Sequence, residues 1–205
     1  MTKILTVANL KGGSSKTTST VFIAHALKEM GLEVAMIDAD PQGSLLSWAE
    51  HAEFEIPVVG KPVTKLHTQI KGIFGDRFDV ILIDTPPLDA QAGIVYGALR
   101  AADYILVPMA PTSMEFHRLG AIWDVLDDLN EQTDSVTPSS VLLTRALANG
   151  ISTRECRSGI EGEGRHVLST SIPRLEAIGL AHRQSITALF GHDKVALELQ
   201  ERGAF

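Results

Sequence analysis

Two amines, two glycines and four hydroxyls fall within eight consecutive residues: Lys11, Gly12, Gly13, Ser14, Ser15, Lys16, Thr17 and Thr18. That set suits the binding of a polyphosphate. Glycines let backbone N–H groups turn inward around an anion, and a helix starting at the end of the loop adds its positive dipole end. Lys16 would then sit on the β- and γ-phosphates, and the Thr17 hydroxyl on Mg²⁺. Three carboxylates further on could complete such a site: Asp38 and Asp40 in DADPQGS, and Asp84 in VILIDTPP.

Each candidate needs an element to hold it. Residues 2–8 read as a short buried strand, with β-favouring Ile4, Leu5 and Val7 ending at polar Asn9. Residues 17–30 read as a helix, because Val21, Ala24, Leu27 and Met30 recur at helical spacing and Gly31 stands where a C-terminal cap belongs. Residues 32–37 read as a second strand, delivering Asp38 and Asp40 to the carboxyl edge where α/β proteins bind ligands. A turn-forming role before Pro41 accounts for Asp40 but not for Asp38. The aliphatic run 80–83 predicts a strand buried on both faces that carries Asp84 to a magnesium shell.

Further along, the pattern predicts helices over 44–52, 65–74, 90–101, 114–131 and 153–162, and strands over 103–109 and 139–144. Ile56, Val58 and Val59 read as an edge strand. Trp48 and Trp123 read as core packing, Trp123 on the stripe Leu119, Ile122, Leu126 and Leu129. Alternation of strands and helices over 205 residues predicts one α/β domain, a doubly wound, mostly parallel sheet.

The loop is a deviant one. Aligned on Lys16-Thr17, the pattern G-x-x-x-x-G-K-[ST] has its first glycine at Leu10 and its second at Ser15, and gains Lys11. If position 15 requires positive φ, serine there costs on the order of 1 kcal/mol. KGGxxKT, together with DADPQGS and DTPP, resembles the deviant Walker motifs of the ParA/MinD superfamily of ATPases. The resemblance covers nearly the whole chain and implies a Mg²⁺-dependent ATPase binding ATP and ADP. It implies that Lys11 reaches across a nucleotide-bound homodimer to the partner's phosphates, and that Asp40 orients the attacking water. It gives Asp38 a place in the magnesium or water network and Lys16, Gly12, Gly13, Ser14, Ser15, Thr17 and Thr18 contacts to nucleotide. Arg145 falls near where the family seats adenine, and residues 171–181, with Pro173, should close that pocket.

Composition narrows the class. Hydrophobic residues make up 44% and aromatics 5%, which suits an aliphatic core. The single Cys156 allows neither a disulfide nor a cluster and fits a reducing cytoplasm, and the seven histidines show no short metal-binding pair. Nothing reads as a signal peptide or a membrane span. A net charge of −7 opposes wholesale nucleic-acid binding but not a local basic patch. Between positions 141 and 190 lie six arginines and no lysine, against four glutamates. An ordinary solvated face would explain this. The family resemblance favours non-specific DNA binding by the nucleotide-bound dimer, with Arg154, Arg157, Arg165, Arg174 and Arg183 as candidates.

Within the superfamily, the nitrogenase iron protein needs paired cysteines, MinD a basic amphipathic terminal helix, and the tyrosine-kinase relatives a tyrosine cluster. Larger partition ATPases carry an N-terminal helix-turn-helix, for which there is no room before Lys3. What remains resembles a small, ParF-like ParA: a cytoplasmic, nucleoid-associated plasmid DNA partition ATPase stimulated by a ParB-like centromere-binding partner, with no membrane association. The alternatives are an ATPase that positions a protein cargo, such as a carboxysome or chemoreceptor array, and a metabolic ligase of the dethiobiotin-synthetase kind.

Overall fold

A computed structural model describes residues 1–133, 135–147 and 150–205. Six strands, β1 (Lys3–Val7), β2 (Val34–Asp38), β3 (Val58–Gly60), β4 (Val80–Asp84), β5 (Tyr104–Met109) and β6 (Ser139–Leu143), form one sheet in the order β3-β2-β4-β1-β5-β6. Every pairing is parallel. Helices cover both faces, so the inner strands are buried along their whole length and read as unbroken apolar runs. The pleat sorts them: along β4, Val80 and Leu82 pack into the cluster built on Phe22, Leu27 and Leu199, while Ile81 and Ile83 pack into that built on Ile37, Phe74 and Ile94.

The helices are α1 (Lys16–Glu29), α2 (Ser44–His51), α3 (Ile70–Phe74), α4 (Leu88–Leu99), α5 (Ser113–Thr133), α6 (Ile151–Gly162), α7 (Glu176–Leu180) and α8 (His192–Glu201). Gly31 ends α1 at φ 87°, as its sequence position predicts. Trp123 is buried with Leu119, Ile122, Leu126 and Leu129 under β5 and β6. Two helices differ from expectation. The helix expected over 65–74 is a 3₁₀ turn, Leu66–Thr68, followed by α3: Lys65 (φ −109°, ψ 36°) is not helical, and Gln69 between the two pieces stays in the right-handed region but at a stretched φ of −111°. That expected from residue 90 begins at Leu88 and breaks at Gln91 (φ −141°), since Leu88 and Asp89 donate their N–H groups to the carbonyls of Asn9 and Leu10 rather than waiting for a free start.

Beyond β6, residues 166–174 run along its open edge. Val141 pairs with Val167 and Ala146 with Pro173, both in parallel sense. Pattern reading gave no sign of this extension, since each bridge involves one residue pair rather than a period.

Candidate functional site

The loop after β1 is fixed at its mouth before it turns. Asn9 donates its side-chain amide to the Pro108 carbonyl at 2.6 Å, and the start of α4 donates to Asn9 and Leu10. Gly13 (φ 76°) and Ser15 (φ 69°, ψ 20°) then both adopt left-handed backbone, turning the chain into the first turn of α1. Serine pays the steric cost that glycine avoids at position 15. Inside the loop, the Lys11 carbonyl accepts from the Ser14 hydroxyl at 3.1 Å and from Lys16 Nζ at 3.0 Å. Lys16 is buried, and that burial lowers its ammonium pKa against the charges of Asp84 and Asp40. The Lys11 side chain, by contrast, is exposed.

Strand register brings the acids together. Asp84 ends β4 beside Asp38 of β2 on one side and Val7 of β1 on the other. Thr17 donates its hydroxyl to Asp84 Oδ2 at 2.6 Å, whereas Oδ1 of the same carboxylate is buried with no partner. Burial, reinforced by the Asp38 charge, pushes the Asp84 carboxyl up to about 7. Asp38 accepts the Asp40 N–H at 3.0 Å and the Leu46 N–H at 2.9 Å, one on each oxygen. Since Gly43, at the N-cap of α2, has no side chain, Asp38 caps that helix from the adjoining strand. Asp38 thus holds the Asp40 turn in place, a role that the reading as a metal-shell residue did not foresee. Asp40 is half-buried and accepts the Gln42 N–H at 2.9 Å.

These residues fit a magnesium ion. Among the described residues no group of three His, Cys, Asp or Glu side chains could hold a metal ion by itself, so a cation here would need oxygens from a ligand as well. The orphaned Asp84 oxygen beside the Thr17 hydroxyl is the hard-oxygen pair that such an ion, bridged by water and phosphate, would use.

Next to the loop opens a cavity of about 270 Å³ whose lining includes Ser15 and Thr18 as well as Ile172, Pro173 and Arg174. Arg145 and Pro173 both line it, and Arg145, itself left-handed at φ 53°, is held by Glu115 at 3.2 Å. Sequence reasoning missed five lining residues: Ser19, Trp48, Thr144, His182 and His192. Trp48 is core packing, as expected, but one face also bounds the cavity. Ser19 sits one turn beyond Ser15 on α1, a signal available in the helix periodicity; His192 had none, being brought in by α8 packing on α1.

The five arginines proposed for DNA are not brought together. Arg154 and Arg174 are exposed, and Arg183 is exposed with Ser47 Oγ at 3.4 Å. Arg157 folds back from α6 to donate to Leu168 O, Ser169 O and Ser171 Oγ. Arg165 binds both oxygens of Asp127 at 3.0 and 2.5 Å and lies over the Trp123 ring.

A parallel sheet with a glycine-lysine loop between its first strand and helix, and an aspartate from the neighbouring strand on the loop threonine, defines a P-loop nucleotide-binding domain. The chain belongs to the CobQ/CobB/MinD/ParA nucleotide-binding domain family, whose model matches residues 5–187. It is 30% identical over 209 residues to the maintenance of carboxysome distribution protein A of Gloeobacter kilaueensis, covering 98% of this chain and 86% of that one. The protein of the same name from Halothiobacillus neapolitanus is 29% identical over 174 residues, 83% and 79% of the two chains. Among solved structures, cobyrinic acid a,c-diamide synthase from Mycobacterium smegmatis with bound ADP and magnesium superposes with a TM-score of 0.77 at 23% identity, covering 99% and 97%. A plasmid partition protein from Borrelia burgdorferi gives 0.71 at 19% identity, covering 98% and 99%. Among the described residues no helix is long and apolar enough to cross a membrane.

Proposed function

We propose that this chain is a single ParA-type ATPase domain that uses Mg²⁺ and ATP to form a homodimer, binds DNA non-specifically in that state, and releases it after hydrolysis. One observation carries the reading. The backbone of Lys11 holds Ser14 and Lys16 inside the loop, while its side chain is exposed at the loop's rim. An exposed amine beside a phosphate site is free to reach a neighbouring molecule, which supports the reading that it completes the site of a second subunit.

In this reading Lys16 and the N–H groups of residues 12–18 bind the phosphates, and Thr17 and Asp84 hold the metal. The ion neutralises developing charge on the phosphates. Asp40, half-buried at the end of β2, orients water toward the γ-phosphate. The exposed Arg154, Arg174 and Arg183, repeated over two subunits, supply phosphate contacts to DNA. A ParB-like partner on the cargo stimulates turnover. Coupling arises because contacts to the γ-phosphate exist only in the closed dimer.

The cargo has two readings. The motifs resemble those of plasmid partition ATPases, which make it DNA; the names of the two carboxysome distribution relatives favour a protein cargo moved by the same cycle. The test is DNA binding and molecular mass measured side by side with ATP, ADP and no nucleotide in the presence of Mg²⁺. Dimerisation and DNA binding only with ATP, both lost in Lys11→Ala, is the expected result. An ATP-saturated protein that stays monomeric and ignores DNA would leave a metabolic ligase as the better assignment.

A further inference from the structure

Residues 169–171 bulge between two points where the chain is tied to β6: Leu168 donates its N–H to Val141 O, and Ile172 donates to Leu143 O. Nothing in the sheet holds the bulge itself. Two helices do so from opposite sides. On α6, Arg157 donates to Leu168 O at 2.5 Å, Ser169 O at 3.1 Å and Ser171 Oγ at 3.0 Å. On α8, Glu198 accepts the N–H groups of Ser169 at 2.7 Å and Thr170 at 2.9 Å, one on each oxygen. Arg202 pairs with Glu198 at 3.1 Å one helical turn later. A guanidinium fork therefore takes the carbonyls of this bulge and a carboxylate fork takes its amides. Burial alone would raise the Glu198 carboxyl, but the Thr170 and Ser169 amides and Arg202 outweigh it and hold it below the ordinary range.

Past the bulge the chain becomes the far wall of the cavity. Ala146 donates to Ile172 O at 3.0 Å and accepts from Arg174 N at 3.0 Å, so residues 172–174 also fix the backbone next to Arg145. Ile172, Pro173 and Arg174 all line the cavity. Pro173 has no N–H to donate, so its position depends on what its neighbours are tied to.

From this geometry we infer that Arg157 and Glu198 are positioning residues for nucleotide binding: their shared grip on residues 168–171 sets where the Ile172–Pro173–Arg174 wall stands against the base. The inference rests on the reading of the cavity as the base-side half of a nucleotide site, and it gives Arg157 a task other than contact with DNA. Neither residue lines the cavity. The wall they hold contains none of the phosphate-loop residues 11–18, so loosening it affects recognition of the base more than recognition of the phosphates.

The experiment compares, on the full chain with Mg²⁺, the affinities for ATP, ADP and inorganic tripolyphosphate. Arg157→Lys and Glu198→Gln are each expected to weaken ATP and ADP by about tenfold, as the loss of one or two positioning hydrogen bonds implies, and tripolyphosphate by less than about twofold. Lys16→Ala, acting on the phosphates, should weaken all three. Thermal melts show which variants are folded. Should Arg157→Lys fail to fold, Glu198→Gln and the milder Ser171→Ala, which removes one acceptor, carry the comparison. A folded variant with unchanged ATP affinity, or with equal losses for ATP and tripolyphosphate, overturns the inference. If the wild type binds ATP no better than tripolyphosphate, the base-side reading of the cavity fails, and the inference falls with it.

Discussion

Thr17 and Asp84 stand 67 residues apart in sequence, yet the Thr17 hydroxyl donates to Asp84 Oδ2 at 2.6 Å. The bond links the first turn of α1 to the end of β4, and it leaves the second oxygen of a buried carboxylate without a partner.

That carboxyl titrates at about 7, raised by burial and by Asp38. Because the folded value lies above the unfolded one, the metal-free protein keeps a proton that the unfolded chain releases. Its stability is therefore predicted to fall as pH rises from about 4 to about 7. Mg²⁺ competes with the same proton, so Mg²⁺ affinity in the presence of ATP should drop by up to about tenfold per pH unit below 7. Titration calorimetry at pH 6 and pH 8 checks this. A pH-independent affinity would sink the assignment of Asp84 to the metal, and Asp84→Asn should abolish the dependence.

Ser15 occupies left-handed backbone at φ 69° without a glycine's freedom. Ser15→Gly is expected to raise stability by roughly 0.5–1 kcal/mol, steric relief exceeding the added entropy of the unfolded chain. Denaturant midpoints of the two proteins decide it, and a destabilised glycine variant would mean that the hydroxyl, 3.4 Å from Thr144 Oγ1, outweighs the strain.

His192 is buried, stacked on Phe22 at 4.8 Å, and bonded through Nδ1 to Leu189 O at 2.7 Å. Desolvation lowers its pKa to about 4. The folded value lies below the unfolded one, so unfolding takes up a proton between pH 6.5 and about 4. Over that window this residue alone should cost the fold about 3 kcal/mol. Asp84 acts in the opposite sense over part of the same range, so the measurement is the difference between wild type and His192→Gln in urea unfolding at pH 7 and pH 5. The variant should lose less on acidification; equal losses would refute the claim.

Gly97 and Gly120 make opposite predictions from the same change. A Cβ on Gly97 would fall on the Thr64 carbonyl, well inside van der Waals contact, so Gly97→Ala should destabilise by about 3 kcal/mol or more. Gly120 lies exposed within α5 with nothing near its missing side chain, and Gly120→Ala should gain roughly 0.5–1 kcal/mol. Thermal unfolding of both variants tests the packing of α4 against residue 64.

For DNA, Arg154→Ala is predicted to weaken ATP-dependent binding and to lower its salt slope by about one, whereas Arg165→Ala, whose guanidinium is taken by Asp127, should leave the slope unchanged. If the two variants behave alike in salt titrations, exposure does not select the contacts.

Local order was legible along the chain. Apolar runs ending in acids gave β2 and β4, helical spacing gave α1 and α5, and the order of residues 11–18 gave the phosphate loop, because strand burial, helix periodicity and anion cradles are all properties of neighbouring residues. The helix expected over 65–74 came out as a 3₁₀ turn and a short α-helix joined at Gln69, a change of backbone geometry that no periodicity records.

What tertiary structure alone decided is the employment of each charge. Nothing in the sequence showed that Asp38 accepts the Leu46 amide at the start of α2, or that Arg157 donates to Leu168 O, Ser169 O and Ser171 Oγ. A side chain's type states what it can bond. Which partner it meets depends on distances across elements 8 to 136 residues apart, as with Asp38 and Leu46 or with the Trp48 indole and Gln184 carbonyl, and those distances exist only once the sheet is assembled.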